Sequence, residues 1–384
     1  MIGLGLAVRV VVAFTTYGVA FDINSYAIVE AQLQRDPLAL YSSLVLPIGD
    51  IEALRWPYPP GFFAWILVSA TGESTLGLPF HGLIQLPSIV ADAALALLVY
   101  LYLGRRGQTE STRLAAAGLI ALGPSFMAVS GYHGQIDSIA FLPAVAALIV
   151  WESRPTGARA VSAGLLIGIG AAIKTVPLLL LLALLPSARS LREALTLSAT
   201  AVAVPLALIL PFAIADFDGV REILGYSGAP GVAGISLLVQ PGLADLWLLG
   251  ASVGLSDASQ KLAEVDGLIS LAALGAIGLF ALRFRPRASD AAVLLWLGVY
   301  AFSPNLFVHY AIWGLPFLLI AGYVREVAAL QLVLLMPTIA VYLAPWENAG
   351  IVSVYVPVML GLWAVAVVAF FAQARKIVRD SRLR

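Results

Sequence analysis

Apolar runs of Leu, Ala, Val and Ile recur along almost the whole chain, interrupted by short polar islands. The runs do not alternate apolar with polar at a period of two, so they predict helices rather than strands. Runs of this length require an apolar solvent. A spanning helix takes ~20 apolar residues, and lipid accepts only helices or closed barrels because every backbone polar group must be satisfied. The predicted crossings are 2–20, 80–103, 112–131, 138–151, 158–173, 175–187, 192–213, 262–283, 289–305, 309–323, 326–344 and 350–372. They define an all-α polytopic transmembrane helical bundle of about twelve spans, within a range of about 10–13. Segments 138–151 and 175–187 are short for a crossing and are expected to tilt, break or thin the bilayer.

Composition narrows the function classes. With 61% hydrophobic and 11% charged residues the chain cannot be a soluble globular domain. The absence of cysteine excludes disulfides, thiolate catalysis and Cys-ligated metal. A net charge of zero gives no reason to expect nucleic acid as a partner. The first apolar segment has no basic stretch before it and no small-residue cleavage site, so it reads as a retained helix, with Arg9 snorkelling toward the nearer face.

The distribution of charge sets an orientation. With a cytoplasmic N-terminus, loops 104–113, 151–159, 187–193, 283–290 and 324–326 and the tail from 373 all fall inside, carrying sixteen Lys and Arg. The outer segments hold Arg35, Arg55, Lys174, Arg221 and Lys261. This is the positive-inside asymmetry, and it puts both termini in the cytoplasm. The parity requires that 59–70 does not cross, leaving two large outer segments, 21–79 and 214–261. Stretch 24–35 has the spacing of an interfacial helix, 214–261 is rich in glycine, and tail 375–384 reads as a basic anchor.

The polar islands then gather on the outer side. Asp22 follows the first span, and Tyr58-Pro59-Pro60-Gly61 precedes the second. Gly131-Tyr-His133-Gly-Gln135-Ile-Asp137-Ser138 joins spans three and four, Lys174 joins five and six, and 303–310 joins nine and ten. An ionisable group near lipid is costly unless it faces water, a partner or a substrate. Plainer roles exist for each: Asp137 as a helix cap, the double proline as an entry turn, His309 and Tyr310 as interfacial belt residues. Lys174 lies between two apolar runs and needs an anion or water; an anionic ligand or a buried pair with Asp92 would serve.

The ordered series Asp22-Ile-Asn-Ser-Tyr26, Tyr58-Pro-Pro-Gly61, Ala91-Asp92, His133-Gly-Gln-Ile-Asp-Ser138, Lys174-Thr-Val-Pro177 and His309-Tyr-Ala-Ile-Trp-Gly-Leu-Pro316 resembles the polytopic glycosyltransferases of the GT-C superfamily. It is most similar to prokaryotic membrane proteins related to GPI and polyprenyl-phosphate mannosyltransferases. The resemblance runs from residue 1 to about residue 190 and again near 303–316. It implies one integral membrane domain over 1–384, with 1–190 as a GT-C-like catalytic module and 191–384 as the remaining bundle. It also implies transfer of a sugar, with mannose suggested, from a polyprenyl-phosphate sugar to a lipid, glycan or protein acceptor on the outer face of a prokaryotic cell membrane. By position the catalytic carboxylate is Asp22. Some relatives carry a second acidic residue two positions on, where this chain has Asn24.

The chemistry follows from the leaving group. The donor is a phosphodiester ionised at neutral pH and polyprenyl phosphate departs as an anion, so the reaction needs a base for the acceptor hydroxyl and fixed donors around the phosphate. Asp22 is assigned as the base, with inversion at the anomeric carbon. Lys174 is the first choice for the phosphate, with His133, His309 and Arg55 as further candidates. Gln135 and Asp137 suit sugar hydroxyls, and Tyr58 and Tyr310 suit the sugar ring or the mouth of the site. No cofactor is expected. A divalent metal on Asp22 and Asp137 is the less favoured enzyme reading. A lipid-linked sugar flippase or another transporter is the alternative from a different class, but transporters place polar groups at the midplane on inverted repeats, and no repeat is visible here.

Overall fold

The first helix, α1 (Ile2–Thr15), ends where Thr16 turns extended, and the chain then passes through Gly18 at φ +80°. Glycine suits that left-handed conformation. The next helix, α2 (Ala20–Arg35), therefore leaves at 75° to the first. The computed structural model describes residues 1–45, 55–153, 158–224, 228, 230–343 and 349–383. Arg154, Gly225 and Arg384, used above in weighing charge and glycine content, lie outside the described residues.

These residues form two compact units, one made of 1–178 and 189–226 and the other of 179–188 and 227–384. In the first, a one-turn 3-10 helix at Pro60–Phe62 leads into α3 (Phe63–Leu76). At about 21 Å, α3 is short of a ~30 Å hydrocarbon core. After it come α4 (Phe80–Arg105) and α5 (Glu110–Ala121), the latter capped by Thr109, whose hydroxyl accepts from the Thr112 N–H at 3.4 Å. The apolar run then breaks at Gly123 and resumes as α6 (Pro124–Ala128), running into a π-helical turn, Val129–His133.

Arg9 explains how that break is tolerated. A helix end leaves carbonyls without partners, and the Arg9 guanidinium donates to the Ile120 carbonyl at 2.9 Å and the Ala121 carbonyl at 2.5 Å. Its Nε lies 3.4 Å from Asp92 on α4. The expectation that Arg9 snorkels to the surface is therefore corrected: the residue is 1% exposed. Open carbonyls and a carboxylate outweigh access to water.

The unit is completed by α7 (Asp137–Ser153), α8 (Ala158–Ile173), α9 (Leu191–Ala215) and α10 (Phe217–Leu224). Packing of α8 against α7 on one side and α9 on the other carries much of this unit. At its base Arg159 on α8 makes a two-point pair with Glu193 on α9, at 2.6 and 2.9 Å.

The second unit contains α11 (Asp257–Phe284), α12 (Ala288–Phe302), α13 (Ala311–Ile320), α14 (Val324–Tyr342) and α15 (Ala349–Arg382). Its centre is α12, where Trp296 stacks on Phe317 at 5.7 Å. The Tyr300 hydroxyl sits among the backbone groups of Tyr310, Ala311 and Gly314, fixing the corner before α13.

Among the described residues every element is helical. Six helices are long and apolar enough to cross a membrane: Phe80–Arg105, Glu110–His133, Leu191–Ala215, Asp257–Phe284, Val324–Tyr342 and Gly350–Arg382. The bent pair α1 and α2 would make a seventh. Each of the twelve predicted crossings is helical over most of its length. However, Ala158–Ile173, Val176–Ser187, Ala288–Phe302 and Val308–Ile320 are short apolar helices, and 138–151 falls in the seventeen-residue α7. Sixteen residues of α8 rise about 24 Å, which is why it falls below a full crossing by length.

Candidate active site

Asp22 occupies the first turn of α2, immediately beyond the bend. The π-turn brings His133 to it, and Gly134 at φ +87° turns the chain so that Gln135 arrives beside it. His133 Nε2 lies 2.7 Å from Asp22 Oδ2, and the Gln135 amide donates to Asp22 Oδ1 at 2.7 Å. Both carboxylate oxygens are thus oriented by side chains from one turn. The Asp22 side chain is 16% exposed and that of His133 7%, so the carboxylate is the more open of the two.

The loop that supplies these donors is itself fixed. Tyr26, one helical turn after Asp22, donates to the Gly134 carbonyl at 3.0 Å. The Ser88 hydroxyl on α4 donates to the Gln135 carbonyl at 2.7 Å. Asn24 accepts from the Tyr17 hydroxyl at 2.6 Å, and the Tyr17 ring rests 5.3 Å from that of His81.

A second polar pair begins where α7 starts. Lys174 Nζ donates to Asp137 Oδ1 at 2.6 Å, with the two side chains 4% and 0% exposed. The structural partner expected for Lys174, Asp92, is instead engaged by Arg9 and Ser130. The reason lies in reach: Arg9 spans from the α5 break to Asp92, whereas Lys174 follows α8, which packs on α7. The Tyr58 ring lies 5.2 Å from Lys174 Nζ, close enough for a cation–π contact. It is placed there by Gly61, where a Cβ would strike the Ala172 carbonyl, so the Pro-Pro-Gly turn docks directly on the end of α8.

Tyr26 links the two pairs. It lies within electrostatic reach of both Asp22 and Asp137, and its ring packs edge-on to Trp56 at 5.7 Å, which in turn meets Tyr58 at 5.0 Å. The Tyr58 carbonyl accepts from the Tyr41 hydroxyl at 2.8 Å. Burial pushes the Tyr41 phenol well up from its usual value, so it remains a donor.

Arg55 turns elsewhere, to Glu222 at 3.1 Å and Asp216 at 3.5 Å. His309 and Tyr310 belong to the second unit. There His309 stacks on Phe307 at 5.3 Å and Tyr310 on Trp313 at 3.9 Å. Sequence reading did not single out the contributions of Tyr26, Ser88, Tyr17, His81 and Trp56. Tyr26 carried a signal, since it lies four residues after Asp22 on one helical face. The rest depend on contacts between distant segments.

Among the described residues no three His, Cys, Asp or Glu side chains gather in a way that could hold a metal ion. Asp22 and Asp137 are engaged separately, and a cation already occupies Asp137.

Six helices long and apolar enough to cross a membrane mark a membrane protein, with the Asp22 carboxylate held between His133 and Gln135. The chain belongs to glycosyltransferase family 87, whose family model matches residues 56–308. It is therefore a membrane glycosyltransferase, acting on a sugar donor and an acceptor, which carries the enzyme reading over the transporter one. The matched stretch contains Tyr58, His133, Gln135, Asp137 and Lys174, while Asp22 precedes it and His309 follows it. No curated protein matches the chain.

Proposed function

We propose that the protein transfers a sugar, mannose by resemblance, from a polyprenyl-phosphate sugar to a hydroxyl of a lipid, glycan or protein acceptor, with inversion. The acceptor oxygen bonds to the anomeric carbon, the bond from that carbon to the phosphate oxygen breaks, and Asp22 takes the hydroxyl proton. Polyprenyl phosphate leaves as an anion, so no acid is needed. The observation that supports this reading is the partly exposed Asp22 carboxylate with both oxygens oriented, in a member of a glycosyltransferase family.

In this reading His133 serves Asp22 rather than the phosphate, because its Nε2 is already directed to the carboxylate. Lys174 supplies charge for the phosphate. It does so as a point charge, paired with Asp137 and set beside the Tyr58 ring. Gln135 and Tyr58 complete the sugar site within the first unit. The site belongs to the outer face, with cytoplasmic termini, about twelve crossings counting tilted short helices, and interfacial helices in the outer loops.

The test is a panel of labelled polyprenyl-phosphate sugars offered to membranes that hold the protein. Consumption of one donor with formation of a labelled glycoside supports the reading. Consumption of none, with transfer instead from a nucleotide sugar, removes the lipid-phosphate donor.

A further inference from the structure

Arg9, Asp92 and Ser130 form a buried polar cluster that the transfer chemistry does not use. Arg9 Nε donates to Ser130 Oγ at 2.9 Å, and Ser130 Oγ lies 2.6 Å from Asp92 Oδ2 and 2.9 Å from the Phe126 carbonyl. A serine hydroxyl has one proton, and a carboxylate is the stronger acceptor, so the chain of donors runs from Arg9 through Ser130 to Asp92. A buried ion pair is often no more stabilising than apolar residues of the same volume, which makes stability a weak reason for this one.

The location of the cluster supplies a better reason. Ser130 is the second residue of the π-turn that ends at His133. At Gly131 a Cβ would come within 2.9 Å of Arg9 Cγ, so the turn rests directly on the arginine stem. The same guanidinium closes the helix break just before the turn, at Ile120 and Ala121. One end of the π-turn is therefore tied to α1, α4 and α5, and the other end presents His133 to Asp22.

We propose that Arg9, Asp92 and Ser130 are positioning residues that hold the π-turn in the register in which His133 meets Asp22. This rests on the reading of Asp22 as the base. Lysine could not replace Arg9, because a point charge cannot address a hydroxyl and two carbonyls in a plane.

A double-mutant cycle tests the idea. Ser130→Ala removes one hydroxyl and leaves the Arg9 and Asp92 charges in place, so it is the variant least liable to misfold. With a labelled polyprenyl-phosphate sugar as donor, Ser130→Ala is expected to lower kcat about 10- to 100-fold with the donor KM little changed. In a His133→Ala background the same substitution is expected to cost less than about twofold, because the residue it positions is gone. Losses that multiply in the double variant, or a wild-type kcat for Ser130→Ala, overturn the proposal. Failure of the base reading looks different: Asp22→Asn then turns over like wild type.

Discussion

His133 Nε2 stands 2.7 Å from Asp22 Oδ2 across 111 residues of sequence, and Gln135 holds the other carboxylate oxygen at the same distance. One short turn thus orients both oxygens of the one carboxylate placed just beyond the first bend.

Asp22→Asn is expected to lower turnover by about 10²–10⁴-fold, the usual span for a general base. The substitution keeps the shape but turns one acceptor into a donor. With its oxygen kept toward the Gln135 amide, the new N–H₂ faces His133, which accepts it only as the tautomer with its proton on Nδ1. Fluorescence-detected size exclusion should show a normal profile beside the lost activity.

His133→Ala and Gln135→Ala are each expected to reduce kcat about 10- to 100-fold through loss of orientation. Steady-state kinetics over donor concentration should place the loss in kcat. A rise in donor KM with kcat kept would instead return His133 to the phosphate.

Removal of one member of the Lys174–Asp137 pair leaves a buried charge uncompensated. Lys174→Ala is expected to destabilise the protein by about 3–5 kcal/mol and to weaken the donor more than the acceptor. Joint replacement, Lys174→Met with Asp137→Leu, should recover most of the thermal stability without recovering turnover. Full recovery of both would make the pair a scaffold element only.

Exhaustive chelation is expected to leave turnover within about twofold, since hard cations need several oxygen ligands and Asp137 is held by an ammonium. Loss of activity on chelation that manganese or magnesium restores would overturn the metal-free mechanism.

The cysteine-free chain permits a topology test, but Asp137 is a poor position for it because the residue is fully buried. Arg35 and Gln108 are exposed. Arg35→Cys should react with an impermeant maleimide on intact cells, and Gln108→Cys only after the membrane is opened. The reverse pattern would invert the orientation.

The helices were legible because an apolar run that must satisfy its own backbone has few alternatives, and each predicted crossing is indeed helical. Their breaks were not. Whether Leu122 continues a helix depends on whether something donates to the carbonyls freed before it, and Arg9 does so from 112 residues away. The site was legible as a list of polar residues out of place in hydrocarbon. Their pairing was not, because Lys174 was left between an anionic ligand and Asp92 and Arg9 was expected at the surface, and packing of α8 on α7 and of α1 beside α5 made the choice. Asp22 was reached by motif order and lies outside the stretch matched to the family, so its role rests on geometry and resemblance.

The most direct measurement compares wild-type and Asp22→Asn protein in matched membranes supplied with labelled polyprenyl-phosphate mannose and its companion sugars. Wild-type membranes should release polyprenyl phosphate and form a labelled glycoside from one donor, and Asp22→Asn membranes should form none above background. Equal product from both would show that Asp22 is not the base.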